Sequence, residues 1–239
     1  MYNQSYDSSH VRELDGAIAK TFMSNVFSWM GIALAITAAT AYLFGTDMEM
    51  MRLLLSETGG MSALGWVVTL APLGLVLLMG MGFQRMNYTT LVVVFGIYSV
   101  LMGMSLSFLI LIYTSASIFK TFLITSLMFG FMAFLGYTTK TDLTKMGSIL
   151  MMALFGLIIA SLVNFFMKSA AFDYFISFIG VIIFTGLTAY DVQKLKRIGS
   201  GVEYQGAEMA KLTILGALTL YLDFINLFLF LLRLFGDRK

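Results

Sequence analysis

Leu212–Leu232, LTILGALTLYLDFINLFLFLL, runs for 21 residues with one charged side chain, Asp223. Eleven uncharged residues precede that aspartate and nine follow it. A helix of roughly 20 apolar residues crosses a ~30 Å hydrocarbon core, so the stretch reads as a membrane span with a carboxyl near its middle. An ionisable residue there is costly and faces the bundle interior, which makes it a functional candidate.

The same pattern recurs outward from this stretch. Charge-free runs cover Thr21–Thr46, Thr58–Gln84, Met86–Phe119, Thr121–Thr139, Met146–Met167 and Tyr174–Tyr190. The chain is 59% hydrophobic and 12% charged, about half the charge of an ordinary globular domain. The runs do not alternate in polarity as barrel strands do, so helices are expected. The predicted fold is an all-α integral membrane protein with spans at 21–45, 63–84, 88–113, 118–138, 146–168, 173–196 and 209–235. A polar tail over 1–20 precedes the transmembrane domain of 21–235, and a short tail of 236–239 follows. Thr114-Ser115-Ala116-Ser117 is the expected exit of the third span, and Gly59-Gly60 and Gly199-Ser200-Gly201 mark the two longer connections.

Basic residues set the orientation, since cytoplasmic loops retain Lys and Arg. With the N-terminus inside, the inner segments hold Arg12, Lys20, Arg85, Lys140, Lys145, Lys194, Lys196, Arg197 and Lys211. The outer segments hold Arg52, Lys120, Lys168, Arg233, Arg238 and Lys239. Nine against six places the N-terminus in the cytoplasm, with the C-terminal tail dissenting. The net charge of +2 is too small to indicate nucleic acid. With no cysteine, thiol catalysis and iron–sulfur clusters are excluded.

Asp191, near the end of the sixth span, is the second informative carboxyl. If the sixth span leaves the membrane near Arg197 and the seventh enters near Lys211, Asp191 and Asp223 approach each other across a helix pair. Two carboxyls a few ångströms apart do not both ionise easily, and they attract a proton or a cation. The alternatives are a boundary pair of Asp191 with Lys194, and a neutral, hydrogen-bonded Asp223. Asn226 shares a helical face with Asp223. Asn164 is expected to bond across to a neighbouring helix, and Pro72 to kink the second span. Gly80, Gly82 and Gly103, with Ser105 and Ser107, are expected to allow close helix approach.

Tyr221-Leu222-Asp223-Phe224-Ile225-Asn226-Leu227-Phe228, followed by Leu231-Leu232-Arg233, resembles the last-helix signature of the Bax inhibitor motif family. Thr185-Gly186-Leu187-Thr188-Ala189-Tyr190-Asp191 with Gln193-Lys194 is similar to its penultimate-helix motif. Gly136-Tyr137-Thr138-Thr139-Lys140 with Asp142-Leu143 resembles the loop after its fourth helix. The resemblance implies seven helices with the last one central. It implies a pH-sensitive calcium leak with Asp191 and Asp223 as sensor; on this reading the two carboxylates are expected to form the ion path and weak calcium ligands, with Tyr190 and Asn226 as polar support. It implies no resident cofactor beyond transient calcium, and for a bacterial member a multi-pass location in the inner membrane. Arg85 matches the place of an arginine latch, and reads equally as a topology-setting charge. Glu203 and Glu208 read as solvated loop acids.

Other classes fit less well. An intramembrane aspartyl protease would need Gly-x-Gly before its second aspartate, whereas Leu220-Tyr221-Leu222 precedes Asp223. The sole histidine, His10, lies in the polar tail, which excludes an intramembrane serine protease. A retinal-binding protein needs a lysine inside the last span, and Lys211 stands only at its start. No enzyme activity is expected. The resemblance also implies a regulatory alternative, since some bacterial members of that family are implicated as modulators of a membrane-bound protease. The polar Met1–Gly16 segment, expected to lack fixed structure, would suit that partner. The expected partners are therefore the lipid bilayer, calcium ions and a membrane protease.

Overall fold

The structure is a computed structural model that describes residues 8–56, 60–201 and 206–239, with side chains from residue 17 onward. Glu203, Gly59 and the side chains of His10 and Arg12 lie outside the described residues. Nine helices form in this part of the chain: α1 (Ser8–Thr46), α2 (Met48–Leu54), α3 (Ala63–Gly82), α4 (Tyr88–Leu106), α5 (Phe108–Ile112), α6 (Ser115–Thr138), α7 (Thr144–Met167), α8 (Ala170–Ser200) and α9 (Ala207–Phe235). Seven segments among them are long and apolar enough to span a membrane, with α4 and α5 together making one. The protein is an all-α membrane protein of seven spans.

Polar side chains end and start these helices, at Thr114 and before Tyr88 where the sequence suggested and at Ser107 where it did not. Thr114 caps α6 by accepting from the Ser117 N–H at 3.2 Å, satisfying a donor that the first helical turn leaves free. Asn87 does the same for α4 through the Thr90 N–H at 2.8 Å. The break between α4 and α5 falls at Ser107, whose hydroxyl bonds the Met104 carbonyl at 2.6 Å and competes with the helical ladder.

Three expectations on the scaffold change. Helix α1 begins at Ser8, so much of the expected polar tail is helical backbone continuous with the first span. The connection expected over 46–62 contains α2, capped by the Asp47 carboxylate. Gly80 meets nothing within 4 Å, and a Cβ on Gly82 would meet only Met86. Gly103 does bring helices together, since a Cβ there would come within 2.6 Å of the Thr37 carbonyl oxygen. Pro72 is buried inside an uninterrupted α3.

Helix α9 is the most enclosed span. Its membrane-length window is 72% buried, against at most 33% for any other. It packs chiefly on α8 and α1, and also on α6 and α4. Large apolar side chains on α3, α6 and α7, such as Leu73, Phe131 and Phe165, point outward. This is how a protein solvated by lipid arranges itself, with no penalty for an apolar exterior.

Candidate functional site: a buried aspartate pair and a clamped loop

Helices α8 and α9 are held close at two levels by glycines. A Cβ on Gly216 of α9 would come within 2.7 Å of Leu195, and one on Gly180 of α8 within 2.7 Å of the Phe230 ring. Asp191 on α8 and Asp223 on α9 lie between these two levels. They are 9% and 4% exposed, and their carboxyls are within hydrogen-bonding reach of each other. Oδ2 of Asp223 is buried with no hydrogen-bond partner among the described residues. A hydrogen bond between two carboxyls needs one proton, and without it the pair presents two acceptor groups and negative charge to any cation that reaches them. No third carboxylate or histidine joins them in a metal-ligand cluster among the described residues.

The surroundings correct several expectations. Asp191 forms no ion pair with Lys194 among the described residues, although that exposed ammonium acts on it through space. The Asn226 amide donates to the Leu222 carbonyl of its own helix at 2.8 Å, so it supports α9 locally rather than Asp223. Tyr190 turns its ring onto α7, where it occupies the space a side chain at Gly147 would need. Arg85 is exposed in the α3–α4 turn and pairs with neither aspartate, so the latch is not formed in this structure. Asn164 closes the α7–α8 turn by accepting from the Ser169 N–H at 3.2 Å, instead of bonding across helices. Glu208 lies in the first turn of α9.

Through other side chains, α8 also grips the loop that joins α6 to α7. The Gln193 amide oxygen accepts from the Leu143 N–H at 2.9 Å, and its nitrogen donates to the Thr141 carbonyl at 2.8 Å. Arg197, one turn on, donates to Asp142 at 2.7 Å, to the Thr144 hydroxyl at 3.1 Å and to Gln193 at 2.8 Å. Lys196 donates to the Tyr137 carbonyl at 2.7 Å and lies over the Tyr137 ring. The Thr144 hydroxyl, Arg197 and the Thr144 N–H together hold the Asp142 carboxyl well below the usual carboxylate range. Gly136 packs directly on the Ala189 backbone. Sequence reading quoted Gln193, Lys196, Arg197 and Asp142 but assigned none of them this role. The one available signal was the i, i+4 spacing of Gln193 and Arg197, which puts both on one helical face.

A second buried polar group sits between α1, α4 and α9. The Thr37 hydroxyl donates to the Ser99 carbonyl at 2.9 Å, so the Tyr221 hydroxyl must donate to Thr37, at 2.7 Å. The Tyr98 ring meets Tyr221 edge to face at 5.4 Å, and its buried hydroxyl has no partner among the described residues.

Comparison with known proteins follows the same elements. The chain is 45% identical over 221 residues to the inner membrane protein YbhL of Escherichia coli, covering 92% of this chain and 93% of that protein. It is 46% identical over 222 residues to an uncharacterized protein of Rickettsia prowazekii, covering 92% and 91%. It is 41% identical over 222 residues to one of Borreliella burgdorferi, covering 93% and 94%. The sequence model of the family described as inhibitor of apoptosis-promoting Bax1 matches residues 19–239. With nearly the whole chain matched, including both aspartate-bearing helices and the clamped loop, this protein belongs to that family, the Bax inhibitor-1 family.

Proposed function

We propose that the chain is a pH-sensitive calcium leak of the inner membrane in which Asp191 and Asp223 are both the proton sensor and the ion-binding step. The observation that carries this reading is two carboxyls facing each other inside a membrane bundle, one with an unpartnered buried oxygen. With a proton between them the carboxyls bond to each other. Without it they offer hard oxygen ligands of the kind Ca²⁺ takes. Two carboxyls supply only part of the six to eight oxygens that Ca²⁺ normally takes, so water completes the shell and binding is weak, as conduction requires. The inner-membrane location draws on the name of the Escherichia coli relative, and the cytoplasmic N-terminus draws on the distribution of basic residues. In this reading the chain is a conduit and not an enzyme.

The test is calcium flux into liposomes carrying the purified chain, between about pH 5 and 8. Wild type is expected to leak with a pH dependence that Asp191→Asn and Asp223→Asn each flatten, because each leaves a single acid. Arg85→Ala is expected to leave that dependence in place, since Arg85 touches neither aspartate. No flux above empty liposomes at any pH would end the leak reading and favour a regulatory partner of a membrane-bound protease.

A further inference from the structure

The opposite end of the bundle, where α7 and α9 finish and α8 starts, carries a charged cavity that plays no part in the proposed leak. Lys168, Asp173, Arg233 and Arg238 line a space of ≈ 370 Å³. A neighbouring space of ≈ 310 Å³ shares Asp173, Arg233 and Arg238 and continues against Leu109, Ile112, Leu229 and Leu232. Three cations therefore face one carboxylate, beside an apolar slot between α5 and α9.

Among the described residues the cations retain free donors. The ion pair from Arg233 to Asp173 is 3.8 Å long, against ~2.7–2.9 Å for a full charge-assisted bond. The Arg238 guanidinium lies 5.9 Å from the Tyr113 ring centre. Lys168 has φ 52°, and among the described residues it alone occupies the left-handed region without being glycine. That conformation favours glycine, so a lysine there is held against its backbone preference. Ser169 and Ala170, which open α8, also line the cavity and present the positive end of that helix.

We propose that this cavity binds the phosphate headgroup of an anionic phospholipid. Lys168, Arg233 and Arg238 take the phosphate, and the glycerol and first acyl carbons rest on Leu229, Leu232, Leu109 and Ile112. A lipid source is favoured over free phosphate for two reasons. The cations sit at the ends of three spans, the level of headgroups, and the apolar slot adjoins them with no intervening polar wall.

The test is native mass spectrometry of the full chain released from detergent and titrated with phosphatidylglycerol, phosphatidylcholine or glycerol phosphate. The expected result is preferential retention of one phosphatidylglycerol. Each removed cation should weaken that preference about fivefold, in Arg233→Gln, Arg238→Gln and Lys168→Gly. The last also relieves the backbone, so it removes charge without endangering the fold. Equal retention of phosphatidylglycerol and phosphatidylcholine, or an unchanged preference in all three variants, would overturn the site. Glycerol phosphate binding as tightly as phosphatidylglycerol would overturn the lipid assignment.

Discussion

Gln193 and Leu143 are 50 residues apart in sequence, and the side chain of the first caps the backbone N–H of the second at 2.9 Å. The Leu143 side chain makes no cap bond; the loop's Asp142 accepts from the Thr144 N–H, and the penultimate span satisfies the Leu143 N–H. Gln193 lies two residues beyond Asp191 on the same helix, on a different face, so α8 carries both one of the paired aspartates and the fastening of the loop.

Gln193 is 6% exposed and makes bonds at both ends of its amide. Gln193→Leu is expected to cost about 1–3 kcal/mol, since it leaves buried loop groups unpaired. Gln193→Glu keeps the acceptor toward Leu143 and Arg197 and should cost less. Thermal unfolding in detergent orders the two variants.

Asp142 gives a pH signature separable from that of the buried pair. Its carboxyl is held below the usual range, so its contribution to stability is fully present above the unfolded pKa of about 3.9. That contribution is lost as pH falls through the lower, folded value. The difference in melting temperature between wild type and Asp142→Asn should stay flat from about pH 7 to 5 and shrink below about pH 4. A flux change between about pH 5 and 8 therefore does not arise from Asp142.

Two glycines that look alike in sequence should answer oppositely to the same change. Gly136→Ala drives a Cβ into the Ala189 backbone, which cannot move aside as a side-chain tip can, and should cost about 1–3 kcal/mol. Gly80→Ala meets open space and should be neutral or stabilising by up to about 1 kcal/mol through helix propensity. Melting temperatures of the two purified variants decide it.

The two core tyrosines should also diverge. Tyr221→Phe breaks the bond to Thr37 and should cost about 0.5–1.5 kcal/mol. Tyr98→Phe removes a buried hydroxyl with no partner among the described residues and should leave stability unchanged or raise it by about 1 kcal/mol. Comparable losses in both would show that the Tyr98 hydroxyl has a bonding partner after all.

The amino-acid sequence alone determined the seven spans, their approximate ends and the two carboxyls worth watching. Lipid imposes a length and a polarity on every crossing segment, and charge-free runs of that length have no other stable home. The exit of the third span at Thr114–Ser117 was legible for a local reason, since its polar side chains interrupt the apolar run in sequence; that Thr114 caps α6 came from the structure. Tertiary structure alone decided which polar groups meet. Asp191 and Asp223 face each other because Gly216 and Gly180 let α8 and α9 close up on either side of them. Asn226, Tyr190 and Arg85 share the right helix or the right motif yet turn elsewhere, because rotation about a helix axis is set by packing against neighbours far away in sequence. The grip of Gln193 and Arg197 on residues 141–144 has the same origin: a hydrogen bond across 50 residues leaves no periodic trace in the chain, and only the folded approach of α8 to the loop creates it.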